Sequence, residues 1–146
     1  RKLGSPQNML QKTYVMILME TCAIIWDALE PSALSKNAIA AIDEADERNA
    51  LIIADISMWE IAMLIKKQRL EVNTSAANFI NLFLQSRNIS VKSISPEIAE
   101  LSVNFDNEIN NDPADRLIAA TSIIHNAQLV TADKNLLGAN ILNTIW

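Results

Sequence analysis

Glycine, cysteine and histidine are all scarce in this chain, whose 146 residues include two glycines, one cysteine and one histidine. Loops that cradle phosphates on backbone N–H groups need several glycines at fixed spacing, so a P-loop and a dinucleotide-binding fingerprint are both excluded. A lone Cys22 excludes an intramolecular disulfide framework and suits a reducing, cytoplasmic interior. Buried packing is its expected role, because no histidine accompanies it in a recognisable nucleophile pattern. His125 has no partner cysteines for a zinc site and is expected to serve as a cation at a helix end. Long apolar runs are missing too. The longest candidate, Tyr14 to Leu29, is broken by Glu20 and Asp27, so no membrane-spanning helix is expected. No secretory signal pattern follows the basic N-terminus. Positive charge is also in deficit: 12 Lys and Arg stand against 17 Asp and Glu, a net charge of −5. That balance speaks against a broad basic surface for nucleic acid, although a bound metal ion can supply positive charge locally.

What remains is an ordinary globular composition, 50% apolar and 20% charged, at a length that suits one domain with a real core. Residues 1–11, punctuated by Gly4-Ser5-Pro6, read as a tag remnant or flexible N-terminal extension, with Met9 a candidate native start. Residues 12–146 then form the domain.

Hydrophobic patterning places a buried strand over Thr13–Met19 and helix signals over Cys22–Leu29, stopping at Glu30-Pro31. A serine-capped helix follows over 35–48 and a short apolar strand over 51–54. Helices are expected over 57–67 and 75–85, and an alternating strand over 89–94. Ser95-Pro96 and Asp112-Pro113 each open a helix with proline at its first position, where the missing N–H costs nothing. The second of these helices places Ala114, Leu117, Ile118, Thr121 and Ile124 on one face. A fourth strand is expected over 128–131, and a short edge strand within 140–145. This alternation implies an α/β fold, with a mainly parallel sheet of four or five strands covered on both faces. Ligands of such sheets bind beyond the carboxyl ends of the strands.

Four acids fall at that end. Glu20 directly follows the first strand and Asp133 closely follows the fourth. Glu60 and Asp115 lie one turn into helices that open there. Each of the last three also has a purely structural reading. Ser57-x-x-Glu60 has the spacing of a capping box, as does Asp112-Pro113-Ala114-Asp115, and Asp133 suits a turn. Glu20 is harder to explain that way, because an acid abutting a buried strand must be hydrated, paired or metal-bound. Converging carboxylates repel unless a cation compensates them. Oxygen-only ligands suit Mg²⁺ or Mn²⁺, which can activate water against a phosphate.

The segments Met19-Glu20-Thr21-Cys22-Ala23-Ile24-Ile25-Trp26, Ile56-Ser57-Met58-Trp59-Glu60-Ile61-Ala62, Asp112-Pro113-Ala114-Asp115-Arg116-Leu117-Ile118-Ala119-Ala120 and Thr131-Ala132-Asp133 together resemble the PIN-domain ribonucleases. Within them, the resemblance is to the VapC-like toxins of type II toxin–antitoxin systems, and it spans about residues 13–146. It implies a three-layer α/β/α sandwich and an endoribonuclease dependent on Mg²⁺ or Mn²⁺ that leaves a 5′-phosphate on cleaved RNA. A homodimer and a cognate antitoxin partner are implied as well. By motif position, Glu20, Glu60, Asp115 and Asp133 are the catalytic acids, with Glu20, Asp115 and Asp133 as metal ligands. Thr21, Ser57, Arg116, Thr131 and Lys134 are the neighbouring substrate-binding candidates. Lys66, Lys67, Arg69, Arg87 and Lys92 are further cations that could meet phosphates, while Trp26 and Trp59 are expected in the core.

The family's first acid is usually aspartate, and this chain has Glu20. The added methylene displaces the carboxylate by about 1.5 Å, and misplacements of about 1 Å can cost roughly a hundredfold in rate. Two readings stay open at this point: an active nuclease, and a weakened or inactive PIN-like module that mainly binds an antitoxin. A phospho-acceptor receiver domain fits less well, since it needs an acidic pair after the first strand.

Overall fold

In the computed structural model, which describes residues 15–146, strands and helices alternate along the chain. They are β1 (Ile17–Met19), α1 (Thr21–Leu29), α2 (Lys36–Glu47), β2 (Leu51–Ala54), α3 (Ile56–Lys66), α4 (Ala76–Ser86), β3 (Ile89–Lys92), α5 (Pro96–Asn104), α6 (Pro113–Ile124), β4 (Gln128–Val130), α7 (Lys134–Leu137) and β5 (Thr144–Ile145). The extension expected over 1–11 and the start of the strand expected from Thr13 lie outside the described residues.

Serine side chains open three of the helices as their sequence signals require. Ser35, Ser75 and Ser95 each accept the N–H three residues on, satisfying one of the donors that a helix start leaves free. Asp112 does the same for α6, with Pro113 behind it. The scarcity of glycine shows at chain reversals. The left-handed positions after α2, α3 and α6 are held by Asn49, Gln68 and Asn126, at φ of 58°, 59° and 51°. Asparagine tolerates that region better than most residues.

The five strands are all parallel, in the order β3-β2-β1-β4-β5. Successive strand residues point to opposite faces, and both faces are packed. Ile17, Met19, Leu51, Ile53 and Val130 join a core with Ile24, Ile42, Ile61, Phe79 and Phe83, from α1, α2, α3 and α4. Leu18, Ile52, Ala54 and Leu129 face the other way, against Ile118 and Ala119 of α6 and Leu136 of α7. This is the expected three-layer α/β/α arrangement, and continuous burial of β1 and β2 follows from it. On α6 the expected apolar face is shifted. Ile124 is exposed, while Ala119, Ala120 and Ser122 are buried, because α6 also receives α5. Small residues are what a helix needs where neighbours approach from two sides. Among the described residues, no helix is long and apolar enough to cross a membrane.

Arg87, just before β3, was a candidate phosphate ligand and is instead a structural tie. Its guanidinium reaches Asp27 at 2.8 Å, Asp43 at 3.0 Å and Asp46 at 3.1 Å, joining α1 and α2 to the start of the edge strand. The Asp27 side chain is only 7% exposed, so removing the arginine would strand a nearly buried charge. Arg87→Ala should destabilise the fold by about 2–3 kcal/mol in urea unfolding, and adding Asp27→Asn should recover part of that loss.

Candidate metal centre at the mouth of the sheet

The strand order reverses direction around β1, and it is beyond β1 and its neighbours that the acids gather. The Glu20 N–H donates to the Val130 carbonyl at 3.1 Å, so the first acid sits directly across from the end of β4. Its side chain does not extend outward. It folds back over the first turn of α1, where Oε2 accepts from the Cys22 N–H at 2.8 Å, making Glu20 the N-cap of that helix. Aspartate or serine usually holds such a position, and the longer side chain spends its extra methylene on the turn back. Oε1 lies 3.5 Å from the Thr131 hydroxyl, which in turn accepts the Asp133 N–H at 3.0 Å.

Glu60 is positioned differently. Its helix, α3, opens at Asp55 rather than at Ser57, so the capping box expected over Ser57–Glu60 does not form. Ser57 is fully buried, and its hydroxyl meets the Thr21 hydroxyl at 2.9 Å. Thr21 donates to Glu60 Oε1 at 2.5 Å. One threonine thus laces the start of α1 to the first turn of α3 and fixes the carboxylate between them.

Asp112 is the cap of α6, accepting from the Asp115 N–H at 3.0 Å, but Asp115 does not return the bond. Its Oδ2 accepts from Asn110 Nδ2 at 2.9 Å, and Asn110 Oδ1 takes the Asp112 N–H at 2.8 Å. Asp133 caps the short α7 through Oδ1, which accepts from the Asn135 and Leu136 N–H groups. Thr21, Ser57 and Thr131 therefore hold the acids in place with hydroxyls that are already engaged.

These tethers leave Glu60 Oε2, Asp115 Oδ1 and Asp133 Oδ2 without hydrogen bonds among the described residues. No arginine, lysine or histidine forms an ion pair with any of the four acids there either. The electrostatic cost is visible in the proton affinities. Burial raises the Glu20 pKa from 4.5 to about 7, against the lowering effect of the Cys22 N–H and with help from Asp115, Glu60 and Asp133. Glu60 and Asp115 are also pushed up, first by desolvation and then by neighbouring acids, while their bonds from Thr21 and Asn110 pull the other way.

Among the described residues, no three acid, cysteine or histidine side chains converge tightly enough to chelate one ion directly. The donor set nonetheless fits a hard divalent cation that keeps several of its waters and takes one or two carboxylates. Free oxygens facing an uncompensated negative cluster are what such an ion requires, and a softer metal would find neither thiolate nor imidazole there.

Other expected roles change. Arg116 is not available to substrate. Nε donates to the Asn110 carbonyl at 2.8 Å and Nη1 to the Phe105 and Ser102 carbonyls. Nη2 serves Asp106, Ile109 and Asn111, so the guanidinium staples the loop that carries Asn110. Lys134 is exposed beside Asp133, with no ion pair among the described residues. Burial and Lys92 lower the His125 pKa, which works against the helix-end cation expected there. Cys22 is exposed rather than packed in the core, and its thiol, partly desolvated beside Glu20 and Glu60, is pushed up to about 12. Trp59 is 58% exposed rather than core. Trp26 does pack on the core, against Trp146 at a ring separation of 5.7 Å.

Two residues of the site escaped the sequence reading. Asn110 orients both Asp112 and Asp115 from a loop, and only its place before Asp112-Pro113 hints at it. Asp55 directly follows β2 just as Glu20 follows β1, the same signal in plain view. Its Oδ2 accepts from the Ile94 N–H at 3.1 Å, while Oδ1 is buried without a partner.

The family model of the PIN domain matches residues 17–140. Ribonuclease VapC22 of Mycobacterium tuberculosis (strain ATCC 25618 / H37Rv) is 33% identical over 120 residues, which cover 82% of this chain and 88% of that protein. Among solved structures, VapBC2 from Rickettsia felis bound to a DNA fragment from its promoter matches with a TM-score of 0.69 at 15% identity, over 90% of this chain and 98% of that one. A toxin–antitoxin complex from Klebsiella pneumoniae matches with a TM-score of 0.59 at 22% identity, over 89% and 96%. At those identities the two structures speak to the fold alone.

Because Glu20 holds its proton to higher pH in the folded than in the unfolded chain, the native state binds more protons between about pH 4.5 and 7. Metal-free protein should therefore lose stability as pH rises through that window, by at most about 3 kcal/mol. Thermal melts should show the decline, Glu20→Gln should flatten it, and Mn²⁺ should offset it at neutral pH by binding the ionised cluster.

Proposed function

Since the chain belongs to the PIN-domain family, we propose that it is a VapC-like ribonuclease, the toxin of a toxin–antitoxin pair, cutting RNA phosphodiester bonds with Mg²⁺ or Mn²⁺. The observation that supports this best is the cluster of Glu20, Glu60, Asp115 and Asp133, three of them with raised proton affinity and none in an ion pair among the described residues. A fold does not maintain such repulsion for stability; a cation and a substrate phosphate give it a purpose.

Glu20, Asp115 and Asp133 are the residues that would hold the ion, one or two of them directly and the rest through its waters, with Glu60 positioned to orient water beside it. When bound, the divalent ion lowers the pKa of water and neutralises charge on the phosphate under attack. The protein contributes preorganisation. Thr21 fixes Glu60, Asn110 fixes Asp115, and Thr131 links Glu20 to the Asp133 backbone, so the acids need not reorganise when substrate arrives. Lys134, exposed next to Asp133, meets an RNA phosphate. The partners follow from the same kinship: a cognate antitoxin protein, a second copy of the chain in a homodimer, and a cytoplasmic setting.

A second reading has one observation in its favour. Glu20 gives Oε2 to the Cys22 N–H, so the substitution of glutamate for the family's usual aspartate weakens its hold on the ion, and the chain acts chiefly by binding antitoxin. Cleavage assays decide between them. Asp115→Asn and Glu60→Gln should each lower Mn²⁺-dependent RNA cleavage by about 100-fold or more without lowering the melting temperature; full activity in Asp115→Asn sinks the nuclease reading. Glu20→Asp should leave activity within about tenfold of the parent. If parent and Glu20→Asp both fail to cut a broad RNA panel while antitoxin binding persists, the second reading stands.

A further inference from the structure

Beside the carboxylate cluster runs a groove of about 760 Å³ between the start of α3 and the start of α6. Its walls are Trp59, Ile94 and Pro113 on the apolar side and Asp55, Glu60 and Asp112 on the polar side. We propose that this groove is a nucleobase subsite of the RNA substrate, with Trp59 as the stacking surface and Asp55 and Asp112 selecting bases that carry an exocyclic amino group over uracil. The proposal rests on the nuclease reading above and deepens it.

Continuity comes first. Glu60 belongs both to the groove and to the cluster, so a phosphate held at the cluster carries its flanking base to the groove entrance. Exposure comes second. An indole 58% exposed next to Ile94, itself 43% exposed, forgoes the burial that normally claims a tryptophan. Every base presents a π-face to such a surface, and single-stranded RNA is read by stacking of this kind.

The polar side then discriminates. Every charged group lining the groove is a carboxylate. Carboxylates accept hydrogen bonds and repel phosphate, so they favour the donor edge of a base over the sugar–phosphate chain. Asp55 adds to that side a carboxylate whose Oδ2 is engaged by the Ile94 N–H while Oδ1 is shielded and unpaired, so its negative charge is poorly offset and favours a donor at the groove. Adenine, cytosine and guanine each offer an amino group. Uracil offers one N–H between two carbonyl oxygens, which the carboxylates repel.

The test uses protein labelled with 5-fluorotryptophan, its resonances assigned by Trp59→Phe, Trp26→Phe and Trp146→Phe. With Ca²⁺ present, short oligoadenylate and oligocytidylate should shift the Trp59 resonance at lower concentration than oligouridylate, leaving Trp26 and Trp146 unmoved. Asp55→Asn should narrow that preference. In cleavage, Trp59→Ala should lower kcat/KM by about tenfold, Trp59→Phe should retain most of it, and an abasic nucleotide at the mapped flanking position should erase the difference. A Trp59 resonance that ignores all oligonucleotides, or that moves only with a cationic peptide, overturns the proposal, as does wild-type cleavage by Trp59→Ala with no base preference. If the parent fails to cut but its Trp59 resonance moves with the stated preference, the subsite stands and the nuclease reading alone falls.

Discussion

Mutual repulsion among carboxylates at the mouth of a parallel sheet is the constraint around which this protein is arranged. A buried acid in a neutral pocket is tolerable once protonated, but four neighbouring acids near pH 7 leave a charge that no ion pair among the described residues cancels. The response is to fasten each acid with neutral donors instead of cations. Thr21 holds Glu60, Asn110 holds Asp115, and backbone N–H groups hold Glu20 and Asp133. Neutral donors orient a carboxylate without satisfying its charge, which leaves it able to attract an ion.

The chain's cations show the complementary half of that arrangement. Arg87 is spent on three aspartates, Arg116 on the carbonyls around Asn110, and Arg48 on Glu44 and the Val15 carbonyl. Among the described residues, neither Arg87 nor Arg116 forms an ion pair with the cluster. The overall deficit of positive charge and the negative mouth go together: these arginines tie secondary structure to itself and lend the acids no charge. Arg116 carries this furthest, since it rigidifies the loop whose asparagine orients Asp115 while lending the acid no charge of its own.

The sequence made the skeleton readable because its signals are local. Ser35, Ser75, Ser95 and Asp112-Pro113 mark helix starts by chemistry confined to one turn, and residues 51–54 form a strand to the residue. The sheet's parallel order followed from the alternation of elements. Orientation was harder, because it depends on neighbours distant in sequence. Ser57 has the spacing of a cap yet faces Thr21, 36 residues away, and Arg116 sits beside a proposed ligand yet points its donors into a loop. Trp59 looked like core because tryptophan usually is, and only the course of α6 leaves it facing a groove. Asp55 was legible by the same rule that found Glu20, an acid abutting a strand end. The short α7 was not, since four residues show no period.

Glu20 does two jobs with one side chain, closing the first turn of α1 and contributing charge to the cluster. A glutamine in its place would keep the cap and relieve the repulsion, so removing the charge at this position also makes the chain easier to fold. Mutational drift under selection for abundance alone would therefore run toward harmless, sturdier descendants.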